Sequence, residues 1–350
     1  MRIGLISTPF VAVPPRAYGG TELVVYELAE GLVDHGHDVT VFATGDSQTR
    51  AELRALYAEP QWPPTSLTDL DHVSWAFQQI ADGDYDLIHA HSGAAVLLHR
   101  LQPNFPLVYT IHHDRAEPLS LCYSHCPETY YVAISHDQLS REVPLRHSTV
   151  IHHGLDPSRY AWTAHPGNYL AFIGRMARVK GPHTAIDVAQ AAGLPIRLAG
   201  EVHPPDREFA DAELAPRFAR PAVEFVGSVA GMAKQMLLRD ARALLAPIEW
   251  DEPFGLILIE AMLSGCPVVA FRRGSVPELV EPGVTGFIAD SPEEMAELVR
   301  PGGPLDRFDR GCCRGRAVTR FSRTRMVEEH ERLYRQVLEQ QGIAPEVRVA

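Results

Sequence analysis

The 350 residues include 45% hydrophobic and 22% charged side chains and five cysteines. This is enough chain for two domains that each bury a core, and the composition excludes a disordered, fibrous or disulfide-stapled protein. The net charge of −12 is uneven: residues 1–160 hold nine arginines, no lysine and 19 acidic residues, a net of −10, against −2 for the remainder. Nucleic acid and anionic membrane surfaces are poor partners for so acidic a half.

In chain order, RIGLIS (2–7), DVTVFAT (38–44), DLIHAH (86–91), PLVYTIHH (106–113), YYVAIS (130–135) and STVIHHG (148–154) read as buried strands. TELVVYELAEGLVDHG (21–36) carries the apolar stripe of a helix ended by Gly36. A turn-rich segment without periodicity, DPSRYAWTAHPG (156–167), follows and marks the domain boundary. Six more strand-like runs come next: YLAFIGR (169–175), PIRLAG (195–200), VEFVGSV (223–229), ALLAPI (243–248), PVVAF (267–271) and GFIA (286–289). After residue 290 the pattern is helical, ending in SRTRMVEEHERLYRQVLEQQ (322–341) and a tail expected to fray. Strands alternating with helices imply parallel sheets, and twelve strands suit two doubly wound domains facing across a cleft better than one. The expected division is 1–160, 161–320 and a C-terminal helix from 321 to 350 that returns to the first domain. No apolar run reaches the roughly 20 residues of a membrane span. MRIGLIS lacks a signal-peptide pattern, so a soluble, cytoplasmic protein is expected.

The strongest chemical signal is Glu252-Pro-Phe-Gly-Leu-Ile-Leu-Ile-Glu260. A strand, ALLAPI, runs into a polar turn, and a helix should begin near Phe254 or Gly255. The amides of Gly255, Leu256 and Ile257 would then lie unpaired at a helix N-terminus, an anion site. Glu252 and Glu260 would be separated by roughly 8 to 12 Å at about 1.5 Å per helical residue. That exceeds the roughly 5 Å of a retaining glycosidase pair and suits two carboxylates holding hydroxyls of one long ligand. The structural alternative is a capping acid at 252 and a surface glutamate at 260.

In Phe172-Ile-Gly-Arg175-Met-Ala-Arg178-Val-Lys180-Gly181 a strand ends at Gly174, and Arg175 and Lys180 precede a helix. Arginine forks onto phosphate oxygens and lysine adds a point charge, unless this is a solvated basic loop. The chain has only two lysines, Lys180 and Lys234. Gly19 and Gly20 allow a close backbone approach before the first helix, which Thr21 can cap. Neither GxGxxG nor GxxxxGK[ST] occurs, so a nicotinamide enzyme or P-loop NTPase has little support. Thirteen of 17 histidines fall in residues 1–160, with pairs His89/His91, His112/His113 and His152/His153 at strand ends. His-x-His on a strand points both rings to one face, yet no carboxylate or cysteine beside them has ligand spacing, and hydrogen-bonded loop residues are the expectation. Cys122, Cys126, Cys312 and Cys313 lack zinc or CxxC spacing and read as bystander thiols.

Taken in order, these segments resemble the retaining glycosyltransferases of family 4, which have the GT-B fold. The likeness spans nearly the whole chain: the Gly-Gly loop, a histidine after VYTIH, HGLD, GR…KG, VGSV, E-x7-E, RGSVPE and GVTGF. The resemblance implies transfer of a sugar from a nucleotide diphosphate sugar to an acceptor hydroxyl with retention, nucleotide on the C-terminal domain and most of the acceptor on the N-terminal one. By matched positions, Arg175 and Lys180 neutralise the diphosphate, Glu260 binds the ribose, Glu252 holds sugar hydroxyls, and the amides near Phe254, Gly255 and Leu256 meet sugar and phosphate oxygens. Gly19 and Gly20 cover the diphosphate, His112 lies by the reacting sugar, and backbone around Gly227 takes the base.

The family implies no metal and no cofactor, and its donor frequencies put UDP-sugars first and GDP-sugars next. The acceptor would be a small molecule or glycan. Membrane-associated relatives carry a basic, apolar surface on the N-terminal domain, whereas this one is acidic and lysine-free, which points to a soluble acceptor. His153-Gly154-Leu155-Asp156 and Arg273-Gly274-Ser275 replace the more usual Asn-Gly-Val-Asp and a Gly-Gly pair. The second change is expected to alter contacts to donor sugar or phosphate. The arginines of 307–325 read as a solvated helix face or as packing against the acidic domain. A nucleotide-sugar epimerase of the same architecture and a non-catalytic nucleotide-sugar-binding protein remain as alternatives.

Overall fold

The computed structural model describes residues 1–17, 19–101 and 104–343. The chain forms two compact units: Met1–Leu155 together with the C-terminal segment from Arg323, and Asp156–Ser322.

In the first unit β1 (Arg2–Ile6), β2 (Asp38–Phe42), β3 (Glu52–Arg54), β4 (Leu87–Ala90), β5 (Leu107–Ile111), β6 (Tyr130–Ala133) and β7 (His147–Val150) form one parallel sheet, ordered β3-β2-β1-β4-β5-β6-β7. All six predicted runs fold as strands. The seventh strand, β3, has three residues, too few to show a periodicity. β1 lies between β2 and β4, with Ile3 opposite both Val39 and Leu87. The connections reverse direction across the sheet at the β1/β4 boundary, where loops on the two sides diverge and a ligand can enter. The core packs Ile6, Ile88, Leu107, Tyr109 and Tyr131 against Val73, Phe77 and Ile80 of the Ser66–Ala81 helix.

The Gly20–Asp34 helix starts at a Gly19 cap without a side-chain hydrogen bond, so Thr21 lies inside the helix and does not cap it. At Gly31 a Cβ would stand 2.4 Å from Val327 Cγ2, so glycine permits the Arg323–Gln340 helix to lie against this one. That C-terminal helix is tied further by Arg323 Nε donating to Glu27 (2.5 Å) and by Glu331 accepting from His37 (2.6 Å). The end of the tail, 344–350, lies outside the described residues.

In the second unit β8 (Leu170–Ile173), β9 (Ile196–Ala199), β10 (Val223–Gly227), β11 (Ala243–Ala246), β12 (Val268–Phe271) and β13 (Gly286–Ala289) form a second parallel sheet, ordered β10-β9-β8-β11-β12-β13, with its switch between β8 and β11. Its core joins Leu170, Phe172, Leu198, Leu245 and Val269 to Ile186, Met295 and Val299.

The arginines after residue 307 mostly satisfy backbone carbonyls. Arg310 is buried and donates to Thr163, Ala241 and Arg239 oxygens. Arg314 donates to Tyr160 and Pro157, and Arg325 to His153. Guanidinium forks here close loop ends that have no ladder partner, so a solvated face describes them poorly. All five cysteines are free thiols. Among the described residues no helix is long and apolar enough to cross a membrane.

Candidate active site

The switch of the second sheet sets the loops after β8 and β11 side by side, stitched by the Glu249 amide donating to the Val179 carbonyl (2.9 Å). Across this seam Lys180 Nζ donates to Glu252 Oε2 at 2.5 Å. Trp250 Nε1 donates to the same oxygen at 3.0 Å, and Lys180 Nζ lies 4.8 Å from the centre of the Trp250 ring. Both donors therefore converge on one carboxylate oxygen. Oε1 is left without a donor among the described residues, able to accept from a ligand hydroxyl.

Glu260 repeats the arrangement one turn into the core. Its Oε1 accepts from Lys234 Nζ (2.6 Å) and from the Tyr160 hydroxyl (3.1 Å), and its side chain is 5% exposed. The chain's two lysines thus stand one on each glutamate of the E-x7-E block. A carboxylate this buried would be costly alone, and the paired ammonium offsets its lost hydration. Lys234, Tyr160 and Trp250 were missed in the sequence. The rarity of lysine was the available signal for Lys234.

The Leu256–Leu263 helix begins one residue after the later of the two expected starts, with Gly255 as its cap. The first-turn amides of Leu256 and Ile257 have no intrahelical acceptor and point back toward the Glu252 turn. Phe254 is buried edge-on against Phe321, with ring centres 6.3 Å apart, so its side chain belongs to the core and only its backbone can serve a ligand.

The Arg273-Gly274-Ser275 turn holds that segment from behind. The Ser275 amide donates to Glu252 O (2.9 Å) and its hydroxyl to Phe254 O (2.7 Å). Gly274 has φ +51°, and a Cβ there would meet Glu252 N and O at 2.4 Å. This departure from the family pattern therefore acts on the backbone that carries Glu252.

Arg175 follows β8 and pairs with Asp206 at 3.2 Å, so it does not join the Lys180–Glu252 cluster directly. Gly227 ends β10 with φ +74° and accepts from the Gly200 amide at 2.9 Å.

In the first unit Gly19 is packed close to Pro15, where a Cβ would stand 2.7 Å from Pro15 Cβ, and Gly20 opens the first helix. His112 follows β5 and its Nε2 lies 2.8 Å from His91 Nδ1. His89 and His91 do share a face, with rings stacked at 4.4 Å. His89 and His91 are buried and His112 is partly exposed, and their hydrogen bonds run to one another and to the Tyr334 and Thr110 hydroxyls. Burial first, then the charges of His113 and His330, pushes the His112 imidazole down to about 3, so it is neutral near pH 7. Among the described residues no group of three or more His, Cys, Asp or Glu is arranged to hold a metal ion.

Two family models match the chain: Glycosyltransferase Family 4 over residues 18–159 and glycosyl transferases group 1 over residues 162–300. The glycogen synthase of Mycobacterium tuberculosis is 26% identical over 85% of this chain and 84% of its own length. Among solved structures, AviGT4, a glycosyltransferase involved in avilamycin A biosynthesis, is 25% identical and superposes with a TM-score of 0.74 over 97% of this chain and 98% of its own. The sucrose-phosphate synthase of Thermosynechococcus elongatus, at 20% identity, shares the fold with a TM-score of 0.82 over 97% and 99% of the two chains.

Proposed function

We propose that this chain, which belongs to the GT-B glycosyltransferases with a family 4 half followed by a group 1 half, moves a sugar from a nucleotide diphosphate sugar to an acceptor hydroxyl with retention at the anomeric carbon. The observation that carries the reading is the Lys180–Glu252 pair at the sheet switch, beside the first-turn amides of the Leu256–Leu263 helix. Cation, hydroxyl acceptor and anion-binding amides come together where the loops after β8 and β11 meet, which is what a sugar joined to a diphosphate needs.

In this reading Lys180 and Arg175 neutralise the diphosphate, Glu252 Oε1 accepts from a hydroxyl of the transferred sugar, and Glu260 accepts from the ribose. The amides of Gly255, Leu256 and Ile257 meet phosphate oxygens as the leaving group gathers charge. Backbone at Gly227 takes the base, Gly19 and Gly20 let the first loop approach the diphosphate, and His112 contacts the reacting sugar. The cations supply the charge stabilisation, so the reaction is metal-independent. Attack comes from the leaving-group face: the anomeric carbon to phosphate oxygen bond breaks, the acceptor oxygen bonds to that carbon, and the acceptor proton passes to the departing phosphate. UDP is the first donor nucleotide to test and GDP the second. The acidity of residues 1–160 favours a neutral or cationic soluble acceptor.

A thermal-shift screen of UDP-, GDP-, ADP- and dTDP-sugars, followed by product analysis over an acceptor panel, tests this. At 100 times its dissociation constant the right donor adds about 2.7 kcal/mol of stability. Conversion of the donor alone, without acceptor, would replace transfer by epimerisation. Donor binding with neither turnover nor transfer would reduce the protein to a binding module.

A further inference from the structure

Five imidazoles cluster in the first unit, His89, His91, His153 and His330 buried and His112 partly exposed. Ring centres of His91 and His89 lie 4.4 Å apart, His112 and His91 5.1 Å, His153 and His112 5.3 Å, and His330 and His89 5.3 Å. Loss of hydration, and the charge each would impose on the others, holds the group neutral: His330 is pushed down to about 4, and His89, His91 and His153 well below the ordinary value. A neutral imidazole has one N–H and one lone pair, so its contacts decide which nitrogen is which.

His89 can be satisfied either way, since Nδ1 meets the Tyr334 hydroxyl at 2.6 Å and Nε2 the Thr110 hydroxyl at 2.8 Å, and a hydroxyl both donates and accepts. His91 has less freedom. Its Nδ1 faces His112 Nε2 at 2.8 Å, and its Nε2 is buried with no partner among the described residues. A proton on Nε2 would leave a buried N–H unpaired, which folded proteins avoid more strictly than an unpaired acceptor. The proton therefore sits on Nδ1, and His91 donates to His112 Nε2. His112, with Nε2 accepting, must carry its own proton on Nδ1.

We propose that His91 is a positioning residue that locks His112 in the Nδ1–H form, so that His112 meets the transferred sugar as a hydrogen-bond donor and never as a base. The proposal rests on the reading that His112 contacts that sugar. It selects the ligand atom: an oxygen that can accept, either a sugar hydroxyl oxygen or one gaining negative charge. A donor fixed before the ligand arrives needs no reorganisation during the reaction, so its loss falls on turnover more than on binding.

The test uses the full chain labelled with 15N-histidine, with long-range 1H–15N correlation to report which nitrogen of His112 is protonated and His112→Gln to assign its signals. The expected result is a proton on Nδ1. His91→Leu should lower kcat about tenfold, the effect of losing one directed hydrogen bond, with donor KM within about twofold, and leave His112 as a mixture of both forms. His91→Asn keeps an amide where Nδ1 was and should restore most of kcat. A wild-type His112 protonated on Nε2 would overturn the proposal. So would a folded His91→Leu protein with wild-type kcat and an unchanged His112 signal. If His91→Leu does not fold, the wild-type tautomer and the Asn variant decide. Failure of the underlying reading shows separately, because His112→Ala would then transfer sugar at the wild-type rate whatever the tautomer.

Discussion

Polar groups stand at the carboxyl ends of the strands in both units, but the two units manage them by opposite physics. The second keeps charges and pairs them, Lys180 with Glu252 and Lys234 with Glu260. The first stacks neutral imidazoles around His91 and His112. An ammonium held by a carboxylate can be shared with an incoming phosphate at little extra desolvation, so paired charge suits a site that receives anions. An imidazole can shed its proton at modest cost, which lysine in the same place could do only through a far larger shift. The contrast follows from composition: the first 160 residues contain 13 histidines and no lysine.

The contrast breaks most sharply at Lys180. Lys180→Ala removes the cation and strands Glu252, and Glu252→Gln removes the charge that holds Lys180. Each should lower turnover of a cognate nucleotide sugar by about 10²- to 10³-fold, the usual effect of removing a group aimed at transition-state charge. Unchanged rates in both purified variants would show that the site lies elsewhere.

Acid should distinguish the units next. His330 and His112 have folded values near 4 and 3, below the roughly 6.5 of an unfolded histidine. The unfolded state then binds more protons, so the stability these residues provide is complete above about pH 6.5 and is lost as pH falls toward 4. For His330 alone this amounts to about 2 kcal/mol at pH 5, at about 1.4 kcal/mol per pH unit. The second unit has only His165, His183 and His203. Hydrogen exchange at pH 7 and pH 5 should therefore show the first unit opening earlier, and equal loss in both units would contradict the neutral stack.

A smaller effect is expected at Lys234. Lys234→Met leaves Glu260 with Tyr160 alone and should weaken nucleotide binding about tenfold while kcat changes little, because a ribose contact is made equally before and during the reaction. Calorimetry with UDP and GDP measures it. Smallest is Ser275→Ala, which removes one hydrogen bond to Phe254 O, expected to cost about 1 kcal/mol and ~2–4 °C in the melting temperature of the second unit.

Much of this was legible in the sequence. Twelve strands were visible because buried parallel strands are short unbroken apolar runs, and the thirteenth was not, since Glu52–Arg54 has neither length nor apolar character. Glu252, Glu260 and Lys180 stood out because helix starts and E-x7-E are local patterns. Thr21 as a helix cap misled because Gly19 takes that place.

The sequence by itself determined the family, the two parallel sheets and the identity of the groups offered at their carboxyl ends, because all of these are written in neighbouring residues and short periods. Tertiary structure alone decided which group meets which. Lys234 reaches Glu260 from another helix, His330 enters the histidine stack from a helix far along the chain, and Ser275 holds the turn of Glu252 from the loop after β12. Such pairings depend on strand order and on the packing of helices against the sheet. Charge, tautomer and free lone pairs, which decide the chemistry, are fixed only when those distant partners arrive.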